Sequence, residues 1–402
     1  MAMMLVIAEC VGLCLVLAPF AIHRLNIWRW SKKPLEISGE KVDLPITVLL
    51  PVWNEEKVIK LKLSNIAKQE VKTSLLVIDS ASTDNTVEYT KKWLKQNSDA
   101  FLSSEVIVLK SREGKTSAVA KALDHLSNFE GLIAMTDADA IFADDALLRA
   151  SSWFADELIG AVGATPSRSG NLSGEESHRD LYSMIRYGES CHDSTPFLEG
   201  SLLVWRSNLV KSKDLNVSSN ADDAQIATAV RLAGYRAIQD PELKFTDYMP
   251  STNSGQRRQK VRRGQGLIRH LLRMRKKLFD PKLGRFRGIL RMQMSMMVIS
   301  PLLLLVTILF ALLRNLSVML VGFGDGTELS LHLVASVVEV VFIGSWLMMR
   351  FGVRIPVFSI LGTILVAMEH LNIAMFQALR GNSLHMWAQH EDVRQSLADA
   401  QE

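Results

Sequence analysis

Short apolar runs alternate with amphipathic stretches through the first half of this chain. ITVLLPV (46–52), LLVID (75–79), EVIVLK (105–110) and GLIAMTD (131–137) are short, strand-like apolar runs. Each precedes residues with helical spacing, at 56–68, 84–96, 115–126 and 144–154. That alternation predicts βαβ units and a mostly parallel sheet. IGAVGAT (159–165) adds a strand, after which the regularity fades into a Ser- and Gly-rich loop, 167–177. A helix near 178–190, a strand GSLLVW (200–205), a helix from Asp222 and a strand YRAIQ (235–239) complete this part.

The second half is patterned for a different solvent. Residues 292–313 carry no charge between Arg291 and Arg314, and about 20 apolar residues suffice to cross a bilayer core. Residues 331–349 and 355–379 are two more candidates, the last interrupted by Glu369 and His370, and 3–22 near the N-terminus carries only Glu9. The basic residues His23, Arg24, Arg29, Lys32 and Lys33 follow that first run, and no clear A-x-A cleavage site appears. It therefore reads as an anchor rather than a cleaved signal peptide. Positive flanks stay in the cytoplasm, so the chain after residue 23 is expected there, in a protein of the cell membrane. The expected layout is an anchor at 1–31, a soluble α/β domain at 44–255, a basic interfacial segment at 256–291, transmembrane helices at 292–380 and a tail at 381–402.

Charge sharpens that division. The net charge is +4, yet residues 256–291 hold 14 Lys/Arg against one acid, Asp280, leaving the rest of the chain net acidic. Basic residues interleaved with Leu, Ile, Val, Met and Phe directly before a span suggest amphipathic helices on an anionic lipid surface. Because the run leads straight into a span, nucleic acid is not an expected partner. The three cysteines, Cys10, Cys14 and Cys191, form no metal or disulfide framework and read as small hydrophobes.

Candidate chemistry lies in an ordered series of acids. Asp79 ends LLVID, Asp137 and Asp139 end GLIAMTDAD, and Asp223 opens a helix in NADDAQIATAV. The carboxyl ends of parallel strands are where α/β sheets hold their ligands. Buried carboxylates there need a partner, and a cation with a phosphorylated ligand supplies one. The order of these acids resembles the family 2 glycosyltransferases, and the resemblance implies a role for each residue that matches a family motif.

In LLPVWNEE, Pro51, Asn54 and Glu55 match the P-x-x-N-E element that lines the nucleotide pocket; alone they read as a turn before a helix. VIDSASTDNT resembles VVDDGSTDGT, with Asp79 as the nucleotide contact, Ser80 replacing the second aspartate and Ala81 the glycine. Ser82, Thr83 and Asp84 also read as helix caps. SREGKTSAVAKAL supplies Lys115 as a pyrophosphate or base contact. Asp137-Ala138-Asp139 is the metal motif, suited to Mg²⁺ or Mn²⁺ because hard cations prefer oxygen ligands and phosphate; Asp137 also touches the substrate. Asp222 and Asp223 match the acidic pair whose last member is the general base, although Asn220 followed by Asp223 also reads as a capping box. FLEGSLLVW resembles the acceptor-loop segment, with Glu199 and Gly200 near the sugar pocket; alone it reads as a strand and a turn. Gln259 and Arg262 supply the Q-x-x-R of the Q-x-x-R-W element, with Arg263 in place of the tryptophan.

The resemblance implies a GT-A type α/β fold plus transmembrane and interfacial helices. The implied reaction is inverting transfer from a nucleoside diphosphate sugar, UDP foremost, to a lipid or membrane-associated glycan. Hyaluronan, chitin and cellulose synthases and ceramide glucosyltransferases share the N-terminal span. A processive synthase, a polyprenyl-phosphate sugar synthase and a non-catalytic sugar-nucleotide-binding membrane protein are the alternatives. A nucleotidyltransferase would need neither the later acidic pair nor Q-x-x-R before a span.

Overall fold

The structure is a computed structural model of the 402-residue chain. It describes residues 2–37, 42–167, 173–246, 252–322, 326–353, 355–382 and Arg394. Two compact units emerge, one of residues 27–289 with 383–402, the other of residues 1–26 with 290–382.

The first unit is built on strands β1 (Ile46–Val52), β2 (Ser74–Asp79), β3 (Ser104–Val108), β4 (Leu132–Thr136), β5 (Ile141–Phe142), β6 (Ile159–Pro166), β7 (Leu202–Arg206) and β8 (Arg236–Thr246). They form one sheet in the order β3-β2-β1-β4-β7-β6-β8-β5. Strands β1 to β4 pair in parallel, as the apolar runs predict, whereas β7 runs antiparallel to both β4 and β6. Successive side chains of a strand point to opposite faces. Val48, Leu50 and Val52 thus join one core with Leu63 and Ile66 of α2 (Ile59–Ala67). Leu49 joins the other with Val119 and Leu123 of α4 (Lys115–His125) and Ile226 and Val230 of α7 (Asp222–Leu232). Helix α3 (Thr86–Gln96) follows β2, and α5 (Ala146–Ser152) follows β5.

Parallel pairing determines where the acids meet. Val52 lies opposite Asp79, and Leu49 opposite Met135. The ends of β1, β2 and β4, with Pro51, Asn54, Asp79 and Asp137, therefore share one sheet edge.

One expectation is corrected. Helix α6 spans Ser173–His192, so residues 173–177 are helical rather than loop; the remainder of the predicted loop, 168–172, lies outside the described residues. Polar residues such as Ser, Glu and His hid a helix whose apolar positions begin only at Leu181. Strand β8 also runs on to Thr246, past the predicted YRAIQ, through Pro241.

The loop after β2 departs from glycine at a costly place. Ala81 sits at φ 58°, in the left-handed region that costs an L-residue roughly 1–2 kcal/mol. Glycine's freer unfolded chain offsets about 0.4–1 kcal/mol of any relief. Ala81→Gly is therefore expected to stabilise by up to about 1 kcal/mol, read as a higher melting temperature. A lower one would mean that the Ala81 methyl is worth more than its strain.

The second unit holds most of α1 (Ala2–Trp30), together with α10 (Ser300–Val321), α11 (Gly326–Arg350) and α12 (Pro356–Leu379). Among the described residues, four helices are long and apolar enough to cross a membrane. The charge-free stretch 292–313 belongs to an apolar helical segment, Pro281–Val321, that includes α9 (Gly284–Met294) and continues past Arg314. Arg314 is fully buried, 2.7 Å from Glu9 and 2.9 Å from Glu339, with His332 also in contact. Charges inside a membrane persist when paired with one another, and this pairing explains why the N-terminal apolar run tolerates its one acid. A Cβ at Gly12 would collide with the Thr307 hydroxyl, the close approach that small residues allow between apolar helices.

Candidate active site

Two loops form the first wall of the site. The Asn54 amide donates to Ser82 Oγ at 2.8 Å, and Asn54 Oδ1 accepts from the Thr83 amide at 2.7 Å. The Glu55 amide donates to Thr86 Oγ1 at 2.6 Å, and the Glu56 amide to Asp84 Oδ2 at 3.1 Å. The loop after β1 is thereby locked to the loop after β2. Asp79 is fully buried and accepts from the amide of Ser82 at 2.9 Å and from its hydroxyl. Of the predicted caps, Asp84 bonds the first amide of α3, Thr86, at 3.0 Å, whereas Ser82 and Thr83 bind Asp79 and Asn54. Glu55 is also buried and is paired with Arg394; burial raises its carboxyl to about 7 against the pull of that arginine.

The second group gathers around Lys115. Gly114 precedes it at φ 90°, a conformation that glycine adopts freely, and so delivers Lys115 as the first residue of α4. Lys115 Nζ lies 2.6 Å from Asp137 Oδ1 and 3.3 Å from Asp222 Oδ2. Burial would lower the ammonium's pKa, but Asp137 and Asp222 more than reverse this and raise it. Gly200 leaves room here, because a Cβ would stand 3.2 Å from Lys115 Nζ and 3.6 Å from Asp223 Oδ2. A cavity of about 130 Å³ is lined by Lys115, Asp137, Glu199, Gly200, Asp223, Arg262 and Arg263, among others.

The expected capping box does not form. Asn220 Nδ2 donates instead to the Arg262 carbonyl at 2.9 Å, which ties the start of α7 to helix α8 (Asn253–Arg273). Asp223 Oδ1 accepts from the Ala224 amide at 2.7 Å, while the residue lines the cavity. Its carboxyl is raised by burial first, then by the charges of Asp222 and Glu199, with Lys115 opposing.

The structure thus brings Lys115, Asp137, Asp223, Glu199, Gly200, Arg262 and Arg263 to one cavity and places Asp222 against Lys115. Pro51 and Asp79 stand at the ends of β1 and β2, beside the loop that carries Asn54 and Glu55, and Gln259 is half-buried on α8 outside the cavity lining.

Residues without a motif complete the site. Arg186 of α6 is paired with Glu199, whose other oxygen lies 4.0 Å from Arg263. Lys62, Asn65 and Gln69 form a buried polar stripe along and just beyond α2. Lys62 donates to the Ala140 carbonyl, Asn65 Nδ2 to Phe142 O at 2.7 Å and Gln69 Nε2 to Ala143 O at 2.8 Å. The stripe fixes the chain just after Asp137-Ala138-Asp139. Burial lowers the Lys62 ammonium to about 7, with Asp137 and Asp139 opposing. The only sequence signal was three polar residues at helical spacing on a face otherwise apolar.

The donor set suits a divalent ion. Asp137 and Asp139 are both half-buried, and Asp137 already balances a cation, Lys115. Magnesium is held by one or two carboxylates when a substrate phosphate supplies further oxygens. Among the described residues no group of three or more His, Cys, Asp or Glu is placed to hold a metal, so the substrate would have to complete the shell.

Known proteins agree with this architecture. The profile of Glycosyl transferase family 2 matches residues 47–209. The poly-β-1,6-N-acetyl-D-glucosamine synthase of Staphylococcus aureus is 26% identical over 251 residues, 60% of this chain and 59% of that protein. The Staphylococcus epidermidis synthase is 23% identical over 236 residues, 57% and 56% respectively. The match therefore spans less than two thirds of these curated relatives. A solved mannosyltransferase from Pyrobaculum calidifontis, in complex with GDP-Man and Mn²⁺, superposes with a TM-score of 0.71 at 26% identity, over 92% of this chain and 99% of that one. The family match takes in most of the sheet with Lys115, Asp137 and Glu199, while β8, Asp223, Arg262 and Arg263 lie beyond it, and residues 47–209 match a glycosyltransferase family 2 domain on a GT-A type sheet.

Proposed function

We propose that this protein transfers a sugar from a nucleoside diphosphate sugar to a lipid or membrane-associated glycan, with inversion at the anomeric carbon. The observation that carries the reading is the single cavity where a carboxylate, Asp223, faces the cations Lys115, Arg262 and Arg263. Asp223 takes the proton of the acceptor hydroxyl. The hydroxyl oxygen then bonds to the anomeric carbon as the bond to the diphosphate breaks. Lys115 and Arg262 take up the negative charge of the departing diphosphate, and Arg262 offers a fixed fork of donors for it. A divalent ion held by Asp137 and Asp139 would neutralise the same leaving group. Gly200 keeps the space beside Lys115 and Asp223 open for the reacting sugar. The solved mannosyltransferase holds GDP-Man, so the donor panel includes GDP- as well as UDP-sugars.

The basic flank after α1 supports a cytoplasmic catalytic domain, where activated sugars are made. The product is proposed to be one or a few added sugars. Arg263 stands where the family's tryptophan would offer a stacking surface to a growing chain, and its side chain is 51% exposed beside Glu199. A second reading is polymer synthesis, favoured by the names of the staphylococcal relatives. Incubation of the purified protein and lipid extract with the donor panel, followed by gel filtration of the product, separates the two. Small glycolipid products are expected. A high-molecular-mass polymer from the purified chain would establish the synthase reading, and the absence of any diphosphate release would remove both.

A further inference from the structure

Arg394 follows the last apolar helix, α12, yet it belongs to the unit that contains the sheet. Its guanidinium grips the Glu55 carboxylate through both Nε and Nη2. The pair is buried, Arg394 at 6% exposure and Glu55 at 1%. Glu55 lies in the loop between β1 and α2, the loop locked to the segment between β2 and α3. The positive charge of Arg394 also acts on Asp139 and Asp137. Glu55, Asp139 and Asp137 all act on this guanidinium, and an anionic diphosphate could not approach these acids without cations beside them. A two-pronged buried pair also holds its partner's geometry in a way that a point charge does not.

We propose that the chain returns to the donor edge of the sheet after its last apolar helix, and that Arg394 is a positioning residue there, holding Glu55 and the nucleotide-side loop for the donor. This rests on the glycosyltransferase reading for the identity of the ligand, but its topological consequence does not. The chain leaves the sheet unit at Ile289 and is back in it at Arg394. Between them lie α10, α11 and α12, each about 33–38 Å long at 1.5 Å per residue and so able to cross a core of about 30 Å. A chain that returns to the face it left crosses an even number of times. Two of these three helices therefore span, and the third lies along the bilayer or re-enters it.

The test uses the full chain in sealed membrane vesicles of known orientation, with Cys10, Cys14 and Cys191 replaced by serine. Reporter cysteines at Lys33, beside the catalytic domain, and at Gln401 are probed with an impermeant maleimide. Labelling of both in the same vesicle orientation is expected, and labelling in opposite orientations would overturn the proposal whatever reaction the protein performs. In parallel, Arg394→Ala should raise the donor KM about tenfold, the scale of one charge-assisted hydrogen bond, with kcat changed less than about threefold; Arg394→Lys should recover part of the loss. A lower melting temperature with an unchanged donor KM would reduce the pair to a tether and reject the positioning role. Should Arg394→Ala fail to fold, Arg394→Gln keeps a donor against Glu55 while removing the charge and the two-pronged grip, and gives the same KM readout.

Discussion

Turnover of Asp223→Asn falls by about 10²-fold or more, while the donor binds with unchanged affinity. General-base catalysis contributes about 10²–10⁴-fold, and the substitution removes the base while preserving its shape. The amide oxygen of asparagine can still accept from the Ala224 amide, so the start of α7 survives. The pH profile supplies a second readout. Burial, Asp222 and Glu199 hold the Asp223 carboxyl far above the usual carboxylate range, at about 7, against Lys115. The base works only when ionised. The kcat/KM of the native protein should therefore climb as pH rises through about 7 and level off above it, since kcat/KM reports the free enzyme. Asp223→Asn should lose this rising limb. Near-normal turnover with the limb intact would return Asp223 to a helix-terminal role.

Excess chelator abolishes turnover, and Mg²⁺ or Mn²⁺ restores it. Asp137 and Asp139 are hard oxygen donors at the end of a buried strand, and a departing diphosphate needs its charge met in a site that excludes water. Lys115 pairs with Asp137 at 2.6 Å, so an ion entering here would share that carboxylate with the ammonium. Asp139→Asn should accordingly raise the metal concentration needed for half-maximal activity more than it raises the donor KM. Full activity in excess chelator would assign the leaving-group charge to Lys115 and Arg262 alone and leave Asp137 as the lysine's counter-ion.

Much of this site was legible along the chain because its parts are local. Apolar runs such as LLVID and GLIAMTD specify buried strands by their own composition, and the helices between them make parallel pairing the economical connection. Once β1, β2 and β4 run parallel, Asp79 and Asp137 reach one edge whatever the loops do, which is why acids at strand ends carried information. The long apolar helices were equally plain, since about 20 residues of apolarity mark a segment able to cross a bilayer core.

The tertiary structure decided what depends on distant partners. Whether Asn220 capped its own helix through Oδ1 or reached the Arg262 carbonyl through Nδ2 could not be read from its spacing to Asp223, because the carboxamide can both accept and donate. Glu199 looked like part of a strand and a turn until Arg186 was found against it. The stripe of Lys62, Asn65 and Gln69 had no motif, and its meaning lies in backbone groups more than seventy residues away. Glu9 is tolerable in an apolar helix only because Arg314 meets it from the far end of the chain. Arg394 is the extreme case, 339 residues from Glu55. By itself the sequence determined the strands, the long apolar helices and the order of the acids, since periodicity and composition act over a few neighbouring residues. Which charges are balanced, and by whom, was left to the fold, because a buried carboxylate requires a partner but does not specify where in the chain that partner must come from.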